Sequence, residues 1–166
     1  MSDLAKRFNE AFEYRDGNLY WKINPNKSRK HIGKLAGYKT NSTSYGVVML
    51  DKKSYCLHRV IYCMFHDDMP VVVDHINGDY QDHRIENLRG ADHTTNNYNK
   101  AFQSNNTSGV KGLTWNKRVN MWQGSISYKR KVRSLGYFKD KEDGAEFVGL
   151  ARDLCHGEFA NHGVHI

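Results

Sequence analysis

A polar tract, Gln103-Ser104-Asn105-Asn106-Thr107-Ser108-Gly109, reads as a flexible linker and breaks this 166-residue chain into two pieces. Neither piece can bury much of its surface, so neither is expected to be very stable alone. The length fits two small domains. The boundaries expected are 1–102, the linker 103–109, and 110–166.

The apolar residues are dealt out in short segments of two different periods, which points to an α+β protein. In the first piece Leu4, Phe8, Ala11 and Phe12 share a helical face, and Asp16-Gly17-Asn18 turns into a strand at Leu19-Tyr20-Trp21. Tyr45 to Leu50 and Ser54 to Leu57, joined by Asp51-Lys52-Lys53, form a hairpin. A short apolar helix follows over roughly His58 to Phe65. Val71-Val72-Val73 is an apolar strand, and a polar loop leads to a helix from Asp92, its N-cap, to Lys100. In the second piece, strands are expected over Lys111 to Trp115, Trp122 to Tyr128 and Lys131 to Tyr137. A helix then starts near Asp140 and ends near Gly157, turning Ala145, Val148 and Ala151 toward the sheet.

Lysine and arginine number 25 against 18 acids, a net charge of +7, which suggests a polyanionic partner. No apolar run approaches the ~20 residues of a membrane span, and the N-terminus lacks the apolar core of a signal peptide. Cys56, Cys63 and Cys155 show no C-x-x-C spacing and read as small buried side chains of a reduced, cytoplasmic protein.

The chemistry gathers in one stretch. Asp74-His75-Ile76-Asn77-Gly78-Asp79 stands directly after the apolar strand, followed by Glu86-Asn87-Leu88-Arg89 and by Asn96-Asn97 on the helix. Gly78 allows a sharp loop. A neighbouring carboxylate and imidazole leave a strand on opposite faces unless a bend lets both line one site. Phosphodiester hydrolysis needs a base for water, a task suited to an imidazole with a pKa near 6.5. It also needs neutralisation of charge on the phosphoryl and leaving oxygens, which a hard divalent cation supplies.

This pattern resembles the HNH nuclease module, in which two strands and a helix cradle one divalent ion, and most of all the phage and intron homing endonucleases of that class. The resemblance spans about 45 residues, with a core near 58–100 and an upstream His58-Arg59 pair. It implies His75 as the base, Asn87 as the residue that fixes the loop and orients the histidine, and Asp74 and Asn96 as ligands of one Mg²⁺ or Mn²⁺. Asn97 is the alternative to Asn96. Arg84 and Arg89 are candidates for phosphate contact, while His66, His83 and His93 are expected at the surface. One departure is Gly90, where family members often carry an aromatic residue.

From Ser108 to Asn161 the chain is similar to the AP2 DNA-binding domain, a three-stranded antiparallel sheet laid in the major groove with a helix behind it. The matching motifs are Ser108-Gly109-Val110-Lys111-Gly112-Leu113, Trp122-Gln123-Gly124-Ser125-Ile126 and Leu135-Gly136-Tyr137-Phe138. Strand parity independently predicts one apolar face of Leu113, Trp115, Trp122, Gly124, Ile126, Tyr128, Leu135 and Tyr137, with both tryptophans in the core. The other face carries Thr114, Asn116, Gln123, Ser125, Ser127, Val132 and Ser134, small polar groups that let a backbone approach bases. Lys111, Lys117, Arg118, Lys129, Arg130 and Lys131 are expected over phosphates, as are Lys27, Arg29 and Lys30 in the acid-free loop of the first piece. The whole reads as a sequence-recognising endonuclease that nicks double-stranded DNA as a monomer, with no membrane or protein partner. The alternative is a non-catalytic DNA-binding regulator with a degenerate nuclease module.

Overall fold

A computed structural model describes residues 1–25, 30–40, 43–102 and 104–163. The chain forms two compact units, Met1–Ala91 and Asp92–Ile166. The division falls before the expected linker, because the helix that follows residue 91 packs within the second unit.

Among the described residues, the first unit is built on two α-helices and three small antiparallel sheets. Helix α1 (Asp3–Ala11) is capped by Ser2, and it buries Ala5, Phe8 and Ala11 on one face. Strands β1 (Phe12–Arg15) and β2 (Asn18–Trp21) form a hairpin through Asp16-Gly17, both at positive φ. Strands β3 (Tyr38–Thr40), β4 (Thr43–Leu50) and β5 (Lys53–Cys56) form the second sheet. Asp51 and Lys52, both left-handed, make the tight β4–β5 turn. Helix α2 (Leu57–His66) buries Val60, Ile61 and Cys63. Strands β6 (Val72–His75) and β7 (Leu88–Ala91) close the unit as an antiparallel pair. Phe8, Phe12, Leu19, Val48, Val60, Ile61, Val73 and Leu88 share one core. Tyr55 stands edge-on to Phe8 at 5.0 Å, a favoured aromatic geometry.

The second unit starts with α3 (His93–Tyr98), whose N-cap Asp92 forms a capping box with Thr95. Tyr98 belongs firmly here: its ring stacks on His156 at 3.8 Å and its hydroxyl accepts from Lys129 N. Strands β8 (Leu113–Asn116), β9 (Met121–Tyr128) and β10 (Lys131–Phe138) form an antiparallel sheet in the order β10-β9-β8, with α4 (Lys141–His156) packed on it. The expected linker carries local order as well. Asn106 Nδ2 and Ser108 Oγ both donate to the Val110 carbonyl, and Ser108 is buried.

Two expectations about this sheet need correction. Strand parity fails along β10 because the register shifts between Ser134 and Gly136, so the extra residue of a bulge reverses the faces beyond it. Tyr137 therefore stands opposite Gln123 and is exposed, while Phe138 stands opposite Trp122. Trp115 meets Trp122 edge-on at 5.2 Å but is 41% exposed, not core. The face that α4 buries is Gly144, Val148, Arg152 and His156, a stripe at four-residue spacing; Ala145 and Ala151 are only half-buried at its margins. A Cβ at Gly144 would lie 2.9 Å from a Leu113 methyl, so the missing side chain is what lets helix and sheet approach.

Candidate active site

The β6–β7 hairpin and its long loop assemble the candidate chemistry in the first unit. Asp74 and His75 are consecutive on β6, paired with Arg89 and Leu88 across the hairpin, and they leave the strand toward different partners. The Asp74 carboxylate is buried, and its Oδ2 accepts from both Nε and Nη2 of Arg89 at 2.9 Å. Arg89 thus neutralises Asp74 inside the unit and is not presented to solvent as a phosphate contact.

His75 enters a pocket of aromatic rings. Its Nε2 lies 3.2 Å from Nδ1 of His83, and its ring centroid is 5.1 Å from that of His58. Tyr45 of β4 stacks over it at 6.1 Å with an interplanar angle of 19°. All three histidines are buried, at 6–8% exposure. His83 is therefore not the surface residue its polar neighbours suggest, because the loop turns back and carries it under β6. Burial, reinforced by the neighbouring rings, pushes His58 down to about 3 and His75 down to about 4. Both imidazoles are neutral at pH 7, and a base must have an open lone pair.

The loop between the strands is held by its own polar side chains. Gly78, at φ +76°, turns the chain so that its N–H donates to the His75 carbonyl. Asn87 is buried and works as a staple. Its Nδ2 donates to Asn77 Oδ1 and to the Asp82 carbonyl, and its Oδ1 accepts from Asn77 N, all at 2.8–3.0 Å. Asp82 pairs with Arg84 at 2.7 Å, which with the accompanying hydrogen bonds holds that carboxyl down at about 2. Arg84 remains half exposed. Gly90, the departure noted in the sequence, lies against Tyr62 of α2: a Cβ there would be 2.8 Å from the Tyr62 hydroxyl. Tyr62 occupies the space that a side chain at 90 would need.

The other expected residues divide by location. Asn96, half-buried on α3, belongs to the second unit, and Asn97 beside it is exposed. Lys27 and Arg29 lie outside the described residues; Lys30 is exposed. In the second unit Thr114, Asn116, Gln123, Ser125, Ser127 and Ser134 line the open sheet face, with Asn116 Nδ2 donating to Gln123 Oε1 at 3.0 Å. Lys117, Arg118, Lys129, Arg130 and Lys131 are exposed at the two hairpins. Lys111 is turned inward instead. Its ammonium donates to the carbonyls of Tyr98 and Lys100, and burial lowers it to about 8.

In the sequence His83 was legible only as an isolated histidine, and His58 only as part of the upstream His58-Arg59 pair. No spacing rule links positions 58, 75 and 83, which come together through a helix start, a strand end and a loop.

Comparison with known proteins is consistent with this geometry. Residues 55–98 match the family described as HNH endonuclease. The chain is also 33% identical over 88 residues to Protein 3.8 of Escherichia phage T7, an alignment covering 53% of this chain and 72% of that protein. No solved structure matches the chain.

Proposed function

We propose, on the premise that this chain belongs to the HNH endonuclease family, that it hydrolyses phosphodiester bonds of double-stranded DNA with a divalent cation. The observation that carries this reading is His75, a neutral imidazole held by a second ring at the end of β6, with a loop behind it stapled by Asn87.

The oxygen donor that would hold a hard cation is the buried Asp74 carboxylate, which such an ion would have to share with the Arg89 guanidinium. Mg²⁺ or Mn²⁺ held there would neutralise charge developing on the phosphoryl and leaving oxygens. The chain's own part is proton transfer. If His75 Nε2 donates its hydrogen to His83 Nδ1, the lone pair sits on His75 Nδ1, and that nitrogen takes the proton from water. Asn87 holds the loop in the conformation that keeps the imidazole in place.

The second unit serves recognition in this reading. The sequence resemblance to AP2 domains would set Asn116, Gln123 and Ser125 toward base edges and Lys117, Arg118, Lys129, Arg130 and Lys131 over the flanking phosphates. One base per chain predicts one strand cut per binding event by a monomer.

The test is incubation of supercoiled plasmids carrying a library of candidate targets with the protein and Mg²⁺. Nicked circles should appear before linear product. Supercoils that persist on every target would overturn the reading, and tight metal-independent binding without breaks would identify a DNA-binding regulator instead.

A further inference from the structure

We propose that His58, His75 and His83 form a three-imidazole site for a Zn²⁺-class ion, separate from the Asp74 carboxylate, and that filling it switches the base off. The binding half stands on the cluster alone; the inhibitory half rests on the nuclease reading above.

One nitrogen of each ring lies within 4.8 Å of the other two. Zn²⁺ holds imidazole nitrogens at ~2.0–2.1 Å, which on a tetrahedron puts ligand atoms about 3.3–3.4 Å apart. His75 Nε2 and His83 Nδ1, at 3.2 Å, already have that spacing. His58 Nδ1 is buried with no hydrogen-bond partner, a costly state that coordination through that nitrogen would relieve. The cluster offers only nitrogen donors, which suit Zn²⁺ or Co²⁺ and not Mg²⁺, whose preference is oxygen. A cavity of about 270 Å³, lined in part by Leu19, Gly37, Gly46, Leu57 and Tyr80, reaches His83 and supplies an entry path. Three protein ligands leave a fourth position for water.

Coordination also decides the fate of the proton. In the state competent for catalysis, His75 carries hydrogen on Nε2 and a lone pair on Nδ1. An ion on Nε2 takes that lone-pair position for itself, so the neutral ring must carry its hydrogen on Nδ1. No net proton is gained or lost, but Nδ1, the nitrogen that takes the proton from water in the proposed mechanism, is no longer a base. His83, which in that same state accepts at Nδ1, coordinates without changing its tautomer.

The experiment titrates the metal-free full chain with Co²⁺ and then Zn²⁺. The expected result is one equivalent of Co²⁺ with the intense visible bands of four-coordinate geometry, displaced by Zn²⁺. His58→Gln and His83→Gln should each weaken binding by more than the ~10–100-fold that loss of an outer-sphere partner costs. Should either variant fail to fold, ring-nitrogen NMR of the wild type decides, since three of its nine histidines must shift on Zn²⁺ addition. Absent bands, binding untouched by both substitutions, or shifts confined to other histidines would each overturn the site. In parallel, micromolar Zn²⁺ should abolish plasmid nicking in millimolar Mg²⁺. Zn²⁺ that binds without inhibiting would overturn the switch, whereas no nicking in Mg²⁺ alone would count against the nuclease reading and leave the Co²⁺ result to judge the site.

Discussion

His75 and Asn87 sit on one hairpin, yet their removal should register in different measurements. In the proposed mechanism His75→Ala removes the base and leaves the loop's hydrogen bonds in place, so DNA binding should be nearly unchanged while cleavage falls ~10²–10⁴-fold. Single-turnover assays beside a binding isotherm check both parts, and unaltered cleavage would exclude His75 as the base. Asn87→Ala deletes three hydrogen bonds of a buried amide and strands Asn77 N and the Asp82 carbonyl. At about 1–3 kcal/mol for each stranded group, the loss of stability should be roughly 2–6 kcal/mol in urea unfolding. Gly90 teaches a related lesson: a missing side chain at one position is filled by Tyr62 from another element.

At the scale of elements, two glycines of the second unit separate close packing from backbone strain. Gly112 has φ +83°, and a Cβ there would lie 2.4 Å from the Ser125 carbonyl oxygen. Backbone cannot move aside as a side-chain tip can. Gly136, at the β10 bulge, has φ +108° but open space around its missing Cβ. Gly136→Ala therefore carries only conformational strain of about 1–2 kcal/mol, and Gly112→Ala should cost at least ~3 kcal/mol by adding a steric clash. Thermal unfolding of both variants checks the order; equal losses would mean that the approach of Gly112 to β9 is not tight. The bulge also decides which residues of β10 face α4. One inserted residue exchanges Tyr137 for Phe138 on the packed face, with no change in amino-acid type that would announce it.

For the whole molecule, charge and burial set the response to salt and acid. In the proposed complex, each lysine or arginine on a phosphate releases counterions, contributing about 0.9 to the slope of log K against log salt. Lys129→Asn with Arg130→Gly suits the left-handed turn and removes two charges, so the slope should shrink by about 2. Lys111→Met should leave it unchanged, because that ammonium is bound to carbonyls of its own unit. A slope that responds to Lys111 and not to the turn would refute the placement of the DNA face. Acid acts through the buried imidazoles. His58 and His75 stay neutral in the folded, metal-free chain down to about 3 and 4, whereas an unfolded histidine protonates near ~6.5. Below that value the unfolded state binds protons that the folded state refuses, so their contribution to stability is complete above pH ~6.5 and is lost as pH falls toward 4. The slope is up to ~1.4 kcal/mol per pH unit for each histidine. His58→Gln should flatten the fall in melting temperature across that window, which lies above the range where Asp67 and Asp82 lose their own contributions.

Local sequence was enough for whatever depends on near neighbours. The period of apolar residues marked α1, α2, α4 and the three strands of the second unit; the caps at Asp92 and Asp140 and the left-handed turns at Asp51-Lys52 and Lys129-Arg130 lie where short-range hydrogen bonding and backbone sterics require. The Asp74-His75 pair and Asn87 were likewise legible as a motif. Tertiary structure alone decided the rest: that His58 and His83 join His75, that Arg89 turns onto Asp74, that Lys111 points inward, and that α3 belongs with the residues after it. Each of these is a contact between segments far apart in the chain. Its free energy depends on which surfaces are buried together, and no residue carries that information in its own neighbourhood.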